Sequence, residues 1–434
     1  MSTTNKELFL QRAKTYFEED YERFINELDK KASSGFFINS KKGLKEDILK
    51  LVDFEYTDSP FNENSYYHNY DSIGKTKVYE LGLIYPQDVE SCLPAFTPDV
   101  SDVKLAIDLC AAPGGKSINI LNRLADDALL ISNEINYKRA GALVSNLERM
   151  GLSNVMITNL KPETFTKQFS GCFDLVLLDA PCSGEGMIRK YPEIMDNYNL
   201  GNITDLASVQ SDLLDTAYKL LKKGGQLVYS TCTYAFEEDE DQINNFLNKY
   251  SDMELIELSD FKDNKAKLKG TLKYSPITQS EGQYIALLRK NEGDIKTPKY
   301  RKTVKNQVVE KFIKNNINID KYYLYSIDNR YYLSLTELLD IRDHILNMGV
   351  YLGELVKDRF EPSHSLYRSN QLFFKNVYDL NDDEYLKFIN GQEIDCNNDN
   401  AYYQVSYNKY SLGFGKLSNG KLKNKYPKGL RRVV

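Results

Sequence analysis

Short apolar runs alternate with helical patterns across residues 103–290, and this alternation constrains the fold more than any other feature of the sequence. The runs read KLAIDLC, ALLISNEI, FDLVLLDAP, GQLVYSTCT, MELIEL and QYIALLRK, and a helical pattern precedes the second, third and fourth. Strands separated by helices pair in parallel, because each helix carries the chain back across the sheet. We therefore predict an α/β fold with a doubly wound sheet that helices cover on both faces.

The rest of the chain divides into smaller units. Apolar residues recur at helical spacing over residues 5–31, which predicts a helical N-terminal extension. The lysine-rich stretch 290–306 lacks an apolar period and is interpreted as a linker. Beyond it we predict short strands at 322–335 and 350–357, a helix at 380–389 after the capping residue Asn381, and strands joined by glycine turns from Tyr402 onward.

Composition and cysteine spacing limit the functions that the protein can have. No apolar run approaches the ~18 residues that cross a bilayer, and the first 20 residues are polar with mixed charge, so we expect a cytoplasmic protein. The six cysteines lack paired CxxC spacing, which predicts free thiols and neither disulfides nor a metal site. The net charge of −6 argues only weakly against nucleic-acid binding, because binding requires no more than a local basic face.

A glycine turn at residues 108–117, DLCAAPGGKS, joins a predicted strand to a predicted helix that starts near Lys116. Glycine lets a ligand approach the backbone closely, and the helix N-terminus offers unpaired N–H groups. Glu134 ends the next strand 20 residues beyond Gly114, the spacing at which a carboxylate accepts ribose hydroxyls in this fold. A Walker loop would require glycine in place of Cys110, and G-x-G-x-x-G is absent. S-Adenosylmethionine is the cofactor that fits best.

Two cysteines and an aspartate follow later strands of the same predicted sheet. The stretch LLDAPCSGEG contains Asp179 and Cys182, and YSTCT contains Cys232. The carboxyl ends of parallel strands share the edge at which such folds hold ligands. Thiolate addition to carbon 6 of a pyrimidine makes carbon 5 nucleophilic, so the thiols favour methylation of cytosine carbon 5, with Asp179 hydrogen-bonding the base. The chemistry alone leaves open which of the two cysteines attacks.

These motifs together resemble the NOL/NOP/Sun family of RNA cytosine-5 methyltransferases. The resemblance rests on DLCAAPGGKS, the NE pair at Glu134, LLDAPCSGEG and STCT, and on residues 85–91, which correspond to a segment beside the cofactor loop in that family. It implies a Rossmann-like core, Cys232 as the nucleophile and Cys182 as the cysteine that assists product release. The implied cofactor residues are Cys110, Ala111, Ala112, Pro113, Gly114, Gly115, Lys116, Glu134 and Asp179.

One position departs from the family pattern. Relatives often place an aspartate near the adenine amine, and here only Asn159 or Glu163 stands in that region. Asn159 is the residue that we predict at the adenine.

Two C-terminal segments, residues 349–364 and 420–431, resemble the RsmF-like group of this family, which acts on small-subunit ribosomal RNA. The resemblance implies 16S ribosomal RNA or the small ribosomal subunit as the partner, and a smaller α+β C-terminal region that is PUA-like. We expect the protein to act as a monomer. The implied division is an N-terminal RNA-binding extension at 1–95, a methyltransferase domain at 96–290, a linker at 291–306, a first C-terminal domain at 307–374 and a PUA-like domain at 375–434.

The C-terminal tail is basic, because residues 413–434 carry seven lysines and arginines and no acid. Phe414 and Tyr426 are interleaved with these cations, and we predict that the two rings are exposed and stack on unpaired bases. The predicted RNA contacts are Lys416, Lys421, Lys423, Lys425, Lys428 and Arg431. Two alternatives remain open, namely the same chemistry on transfer RNA and a ribosome assembly factor that has lost catalysis.

Overall fold

The N-terminal extension begins with two helices, where the pattern predicts one helical stretch. The computed structural model describes residues 4–258 and 266–432. The helices are separated at Glu18, whose φ of 46° lies outside the helical region. Phe9 and Phe24 on their inner faces pack against Tyr198 and Tyr234 of the following domain. The two helices are α1 (Asn5–Phe17) and α2 (Tyr21–Leu28).

A four-stranded antiparallel sheet, for which the sequence patterns give no prediction, completes the extension. Its strands are β1 (Gly35–Ile38), β2 (Tyr56–Asp58), β3 (Ser65–His68) and β4 (Ile84–Pro86), in the order β2-β3-β1-β4. Alternate residues of β1 pack into different hydrophobic cores, because successive side chains of a strand point to opposite faces. Phe37 packs toward the central sheet, whereas Phe36 and Ile38 pack toward the C-terminal region. The extension also contains the short helices α3 (Lys45–Leu49) and α4 (Lys77–Glu80).

The predicted doubly wound sheet forms the centre of the molecule. Its elements are β5 (Leu105–Asp108), α5 (Gly115–Arg123), β6 (Leu129–Asn133), α6 (Tyr137–Met150), β7 (Val155–Thr158), α7 (Thr166–Phe169), β8 (Phe173–Asp179), α8 (Glu193–Asp196), α9 (Leu200–Leu220), β9 (Leu221–Thr231), α10 (Glu240–Lys249), β10 (Met253–Ile256), β11 (Leu272–Tyr274) and β12 (Gln283–Lys290). Strands β9, β8, β5, β6 and β7 are parallel neighbours in that order. The chain winds in one direction from β5 to β7 and in the other from β8 to β9, so a ligand crevice is expected beside β5.

The sheet differs from the prediction mainly at its edges. The predicted runs do not include β7, a buried strand of only four residues. At the opposite edge β12 is antiparallel to β9, and β10 and β11 both pair with β12. The free side of β7 is covered by β16 (Ile345–Met348), which comes from far downstream and pairs antiparallel, with Met348 opposite Met156. This pairing satisfies the backbone groups of β7 that would otherwise be open to another chain.

The C-terminal part contains the predicted strands and the predicted helix. Asn381 caps that helix with a reciprocal capping box to Glu384. The remaining elements are α11 (Gln307–Asn316), β13 (Ile317–Asn318), β14 (Tyr323–Ile327), β15 (Arg330–Ser334), β17 (Val350–Val356), β18 (Arg359–Pro362), α12 (His364–Arg368), β19 (Phe373–Phe374), β20 (Val377–Leu380), α13 (Asp382–Ile389), β21 (Ile394–Asp395), β22 (Tyr402–Tyr407), β23 (Tyr410–Ser418) and β24 (Lys421–Asn424).

Two sheets organise this part, one in the order β14-β15-β17-β18 and one in the order β20-β22-β23-β24-β21. The second sheet shares a hydrophobic core with the N-terminal sheet, in which Val405 and Leu412 pack with Phe36 and Ile84. The two ends of the chain therefore stabilise each other. Within residues 4–258 and 266–432, no helix is both long and apolar enough to span a membrane.

Candidate active site

The loops after β5, β8 and β9 meet at one cavity of about 720 Å³. Parallel strands present these loops at the same edge of the sheet, as the sequence predicts. Among the described residues, Gly114, Cys182, Glu134 and Asn159 do not line the cavity. The predicted site residues that do line it are Cys110, Ala111, Ala112, Pro113, Gly115, Lys116, Asp179 and Cys232.

The glycine turn is held closely against the N-terminal extension. Gly114 precedes α5 with a φ of 116°, a conformation that glycine adopts without steric cost. A Cβ atom on Gly115 would lie 3.0 Å from Nε2 of Gln87 and 3.3 Å from the Tyr85 ring, so a larger residue would require these side chains to shift. Tyr85, Gln87 and Ser91 line the same cavity, which confirms the expectation that residues 85–91 lie beside the loop.

Glu134 and Asn159 end adjacent strands but engage the backbone of the protein. Oε1 of Glu134 accepts the N–H of Asn136 at 2.8 Å, and Oε2 lies 3.6 Å from the Arg139 guanidinium. Nδ2 of Asn159 donates to the carbonyls of Glu134 and Ile135 at 2.6 and 2.8 Å. Asn159 therefore braces the turn after β6, and its contact with adenine stays a prediction.

Asp179 and Lys116 form an ion pair inside the cavity. Nζ of Lys116 lies 2.9 Å from Oδ2 of Asp179, and the Ser230 hydroxyl donates to Oδ1 at 2.8 Å. Burial lowers the pKa of Lys116, but the charge of Asp179, with a contribution from Cys232, outweighs burial and raises this pKa above its ordinary value. A charged ammonium is thus held next to both the carboxylate and the Cys232 thiol.

The two predicted cysteines are in direct contact. Their sulfur atoms are 3.3 Å apart, and the backbone N–H of Cys232 points to Sγ of Cys182 at the same distance. The hydrogen bond to Cys232 and burial together raise the pKa of Cys182 well above its ordinary value. Cys182 is therefore the thiol that keeps its proton, and Cys232 is the one of the two that lines the cavity.

Two buried carboxylates form hydrogen bonds that hold the loops of Cys182 and Cys232 in place. The sequence patterns identify neither of these carboxylates. Glu185 accepts hydrogen bonds from the Tyr198 hydroxyl, the Thr233 hydroxyl and the N–H of Tyr234, at 2.8 to 2.9 Å. Glu185 follows Cys182 by three residues, and Thr233 directly follows Cys232, so this carboxylate joins the two loops.

Glu238 is the second of these carboxylates. It accepts from the N–H of Ser183 at 3.0 Å and from Nε2 of Gln210 at 2.8 Å. The sequence places Glu238 in an acidic run that we interpret only as favouring a helix N-terminus. A buried acid inside such a run gives no local sign of its distant partners.

Asp108 lies at the base of the cavity, where burial raises its pKa to about 7, partly offset by a hydrogen bond from Ser117. A carboxylic acid with a raised folded-state pKa stabilises the protein fully only below its unfolded value near 4, and this contribution is lost as the pH rises through about 7. Asp108→Asn is therefore expected to raise the Tm at pH 8 and to have a smaller effect at pH 5.

A rise in the pKa of Asp108 from its ordinary value near 4 to about 7 corresponds to at most about 4 kcal/mol of free energy of unfolding. Thermal unfolding of both proteins at the two pH values measures the difference. Asp99→Asn serves as the control, since Asp99 is a solvent-exposed acid. An equal gain for Asp108→Asn at pH 5 and pH 8 would show that a buried charge is not the cause.

The basic tail only partly matches the prediction. The side chains of Lys416, Lys421, Lys423, Lys425 and Lys428 are exposed, and that of Arg431 is half-buried. The prediction of exposed rings is wrong, because Phe414 is 5% and Tyr426 is 4% exposed. Phe414 stacks on Tyr367, with 4.6 Å between ring centroids, and the Tyr426 hydroxyl donates to Glu80 at 2.7 Å. Along β24 the exposed Lys421 and Lys423 alternate with the buried Leu422, whereas the two rings are buried by these contacts with other elements.

Four family models match successive parts of the chain. Their descriptions are the N-terminal domain of 16S rRNA methyltransferase RsmF (residues 6–89), 16S rRNA methyltransferase RsmB/F (96–289), the RsmF rRNA methyltransferase first C-terminal domain (307–369) and the methyltransferase RsmF PUA domain (375–432). These matches confirm the Rossmann-like methyltransferase core and the PUA-like C-terminal region.

Solved structures share the fold over 65% of this chain. A methyltransferase homologue from Pyrococcus horikoshii is 27% identical and covers 65% of this chain and 95% of its own, with a TM-score of 0.58. NSun6 from the same organism has a TM-score of 0.59 over 65% of this chain and 98% of its own, at 21% identity, a likeness in fold alone.

Curated relatives match over most of their length. The ribosomal RNA small subunit methyltransferase F of Shewanella piezotolerans is 29% identical over 94% of this chain and 93% of its own. The protein of the same name from Vibrio vulnificus is 30% identical over 83% of this chain and 81% of its own. The protein therefore belongs to the RsmB/F family of 16S rRNA methyltransferases, and its terminal domains place it with RsmF.

Proposed function

We propose that this protein transfers a methyl group from S-adenosylmethionine to carbon 5 of a cytosine in 16S ribosomal RNA, with Cys232 as a covalent nucleophile. The observation that carries the proposal is the arrangement of the two thiols. Cys232 faces the cavity beside Lys116 and Asp179, and Cys182 lies behind it at 3.3 Å. A methyltransferase that acted on an exocyclic amine would have no use for paired thiols at this position.

The cavity offers unpaired acceptors that suit the cofactor. Within the described residues, Oδ1 of Asp108 and Oε1 of Gln87 are buried without hydrogen-bond partners, and both residues line the cavity. Buried acceptors require donors, and the amino group of S-adenosylmethionine is one. The glycine turn would hold this cofactor, with Glu134 as the proposed contact to the ribose. When bound, it supplies a methyl group on a positively charged sulfur.

The thiolate of Cys232 begins the proposed reaction. A thiolate rather than a thiol is the nucleophile, and the cavity that Cys232 lines also holds the ammonium of Lys116. A bond forms between Sγ of Cys232 and carbon 6 of cytosine, which makes carbon 5 electron-rich. Carbon 5 then takes the methyl group, and the electron pair of the broken bond stays on the departing sulfur. Asp179 hydrogen-bonds the base and fixes its orientation.

Cys182 becomes important in the second half of the reaction. The pKa of Cys182 is raised mainly by the hydrogen bond to Cys232. When the sulfur of Cys232 is bonded to carbon 6 in the adduct, the main cause of this raised pKa is lost. Cys182 can then lose its proton and take the proton from carbon 5. The bond between Sγ of Cys232 and carbon 6 breaks, and its electrons return to sulfur as thiolate. One proton in total passes to solvent.

Ribosomal RNA is the proposed substrate class because the whole-length relatives carry that substrate in their name. We assign the exposed lysines of the PUA-like domain at 375–434 to RNA contacts. The other proposed units are the RNA-binding extension at 1–95, the methyltransferase domain at 96–290 and the first C-terminal domain at 307–374. A stacked cytosine cannot reach Cys232, so the target must be unpaired or flipped out.

Tritiated methyl transfer tests the proposal. The protein is incubated with labelled S-adenosylmethionine and either small ribosomal subunits, 16S ribosomal RNA or total transfer RNA, and the product is sequenced after bisulfite treatment. Label at one bisulfite-resistant cytosine of the 16S RNA is the expected result. Label in transfer RNA alone, or methylation at a nitrogen, would overturn the proposal.

A further inference from the structure

Two partly exposed tyrosines line the cavity that contains Cys232. Tyr70 follows β3 and is 43% exposed, and Tyr191 lies between β8 and α8 and is 51% exposed. They are termed the mouth tyrosines below. A single exposed aromatic residue is ordinary on a protein surface. Two of them, from separate domains on one reaction cavity, form an aromatic rim where the substrate must enter.

Tyr70 is held rigidly on the N-terminal side of the cavity. Its ring stacks parallel to that of Phe54, with 5.1 Å between ring centroids and 8° between ring planes. Its backbone N–H donates to Nδ1 of His68 at 3.1 Å. The exposed part of the Tyr70 ring is thereby fixed at one angle without filling the cavity.

Tyr191 is held by the chain just before it. The buried guanidinium of Arg189 donates to both carboxylate oxygens of Glu281, at 2.7 and 2.8 Å. The same carboxylate accepts the N–H and the hydroxyl of Ser33, each at 2.7 Å. Glu281 thus joins the loop of Tyr191 to the N-terminal extension. A preorganised rim reduces the entropy that is lost when a ligand binds.

The cavity continues into a groove on the N-terminal extension. This groove, of about 540 Å³, shares Ser34, His68 and Asn69 with the reaction cavity, and its other walls include the rings of Phe54, Tyr56 and Tyr67. The surrounding charges are mixed. Glu55 lines the groove, and Asp71 beside Tyr70 lies 3.4 Å from Lys31. A groove with aromatic rings and no excess of basic side chains is better suited to bind nucleobases than phosphates.

We propose that the mouth tyrosines stack on the nucleobases that flank the target cytosine, and that the groove holds the single strand on the Tyr70 side. The inference rests on the proposed function. A flipped base leaves its neighbours without a stacking partner, which costs free energy. An aromatic ring at each side of the gap replaces that partner, and it does so with little dependence on sequence.

Ring removal should weaken use of the RNA without affecting the cofactor. We expect kcat/KM for small ribosomal subunits to fall between about fivefold and 150-fold in Tyr70→Ala and in Tyr191→Ala, mainly through KM. Tyr70→Phe and Tyr191→Phe keep the ring and should remain near the wild type. Tyr300→Ala is the matched control, because Tyr300 is 39% exposed and does not line the cavity. Binding of S-adenosylmethionine is measured for each variant and should not change.

The outcomes separate this inference from the proposed function. Absence of methylation by the wild type would overturn the proposed function. Normal kcat/KM in both alanine variants of an active protein, or equal losses in the phenylalanine and alanine variants, would overturn the stacking alone.

If an alanine variant loses cofactor binding, photocrosslinking tests the proposed stacking instead. Benzoylphenylalanine in place of Tyr70 or Tyr191 should crosslink to nucleotides next to the methylated cytosine. Crosslinks only to distant nucleotides would contradict the inference.

Discussion

Methyl transfer should be lost when Cys232 is replaced by alanine, with a rate at least about 10³-fold lower than that of the wild type. Without the sulfur, carbon 6 of cytosine receives no electron pair, and carbon 5 remains a poor nucleophile. The thiol of Cys182 cannot take its place, because Cys182 does not line the cavity that Cys232 lines.

Tritium transfer to small ribosomal subunits under single-turnover conditions measures this loss. Cys172→Ala is the control, because Cys172 is a buried free cysteine just before β8, at the opposite end of that strand from Asp179. The control should retain nearly full activity. Comparable turnover by Cys232→Ala and the wild type would remove Cys232 from the mechanism.

A stable link between protein and RNA is the expected result for Cys182→Ala. This variant keeps the nucleophile but lacks the group that we assign to proton removal from carbon 5. Addition and methylation proceed, but elimination is slowed, so the bond between Sγ of Cys232 and carbon 6 persists. We expect most of the enzyme to be trapped when RNA and S-adenosylmethionine are in excess.

Denaturing electrophoresis with labelled RNA detects the trapped species as a band of reduced mobility. The double variant Cys182→Ala/Cys232→Ala should show no such band, which identifies Cys232 as the attached residue. Efficient multiple turnover by Cys182→Ala without any adduct would refute the release role.

Local motifs were sufficient to predict the centre of the site. Lys116 follows β5 through the glycine turn, Asp179 ends β8 and Cys232 directly follows β9, and the topology brings these positions to one edge of the sheet. The prediction therefore needed only the strand order and the chemistry of the side chains. Their individual roles remain proposals.

Features that depend on distant partners escaped prediction. Glu185 and Glu281 resemble ordinary charged residues in the sequence, and their burial becomes evident only when Thr233 and Arg189 are seen beside them. Phe414 and Tyr426 were misjudged because the basic residues around them suggested an exposed surface. In fact Tyr426 packs in the core that the N-terminal strands share with the C-terminal sheet, and Phe414 packs against Tyr367 in the neighbouring C-terminal core.

Strand β16 has a consequence for how this protein is synthesised. Strand β7 leaves the ribosome early, whereas its partner at residues 345–348 is translated only after the whole methyltransferase segment and the linker. A nascent chain that stops at Lys290 would carry the catalytic loops on a sheet with an open edge, and open edges invite pairing with other chains. The sheet that carries the active-site loops is therefore complete only after residues 345–348 of the downstream domain have been synthesised.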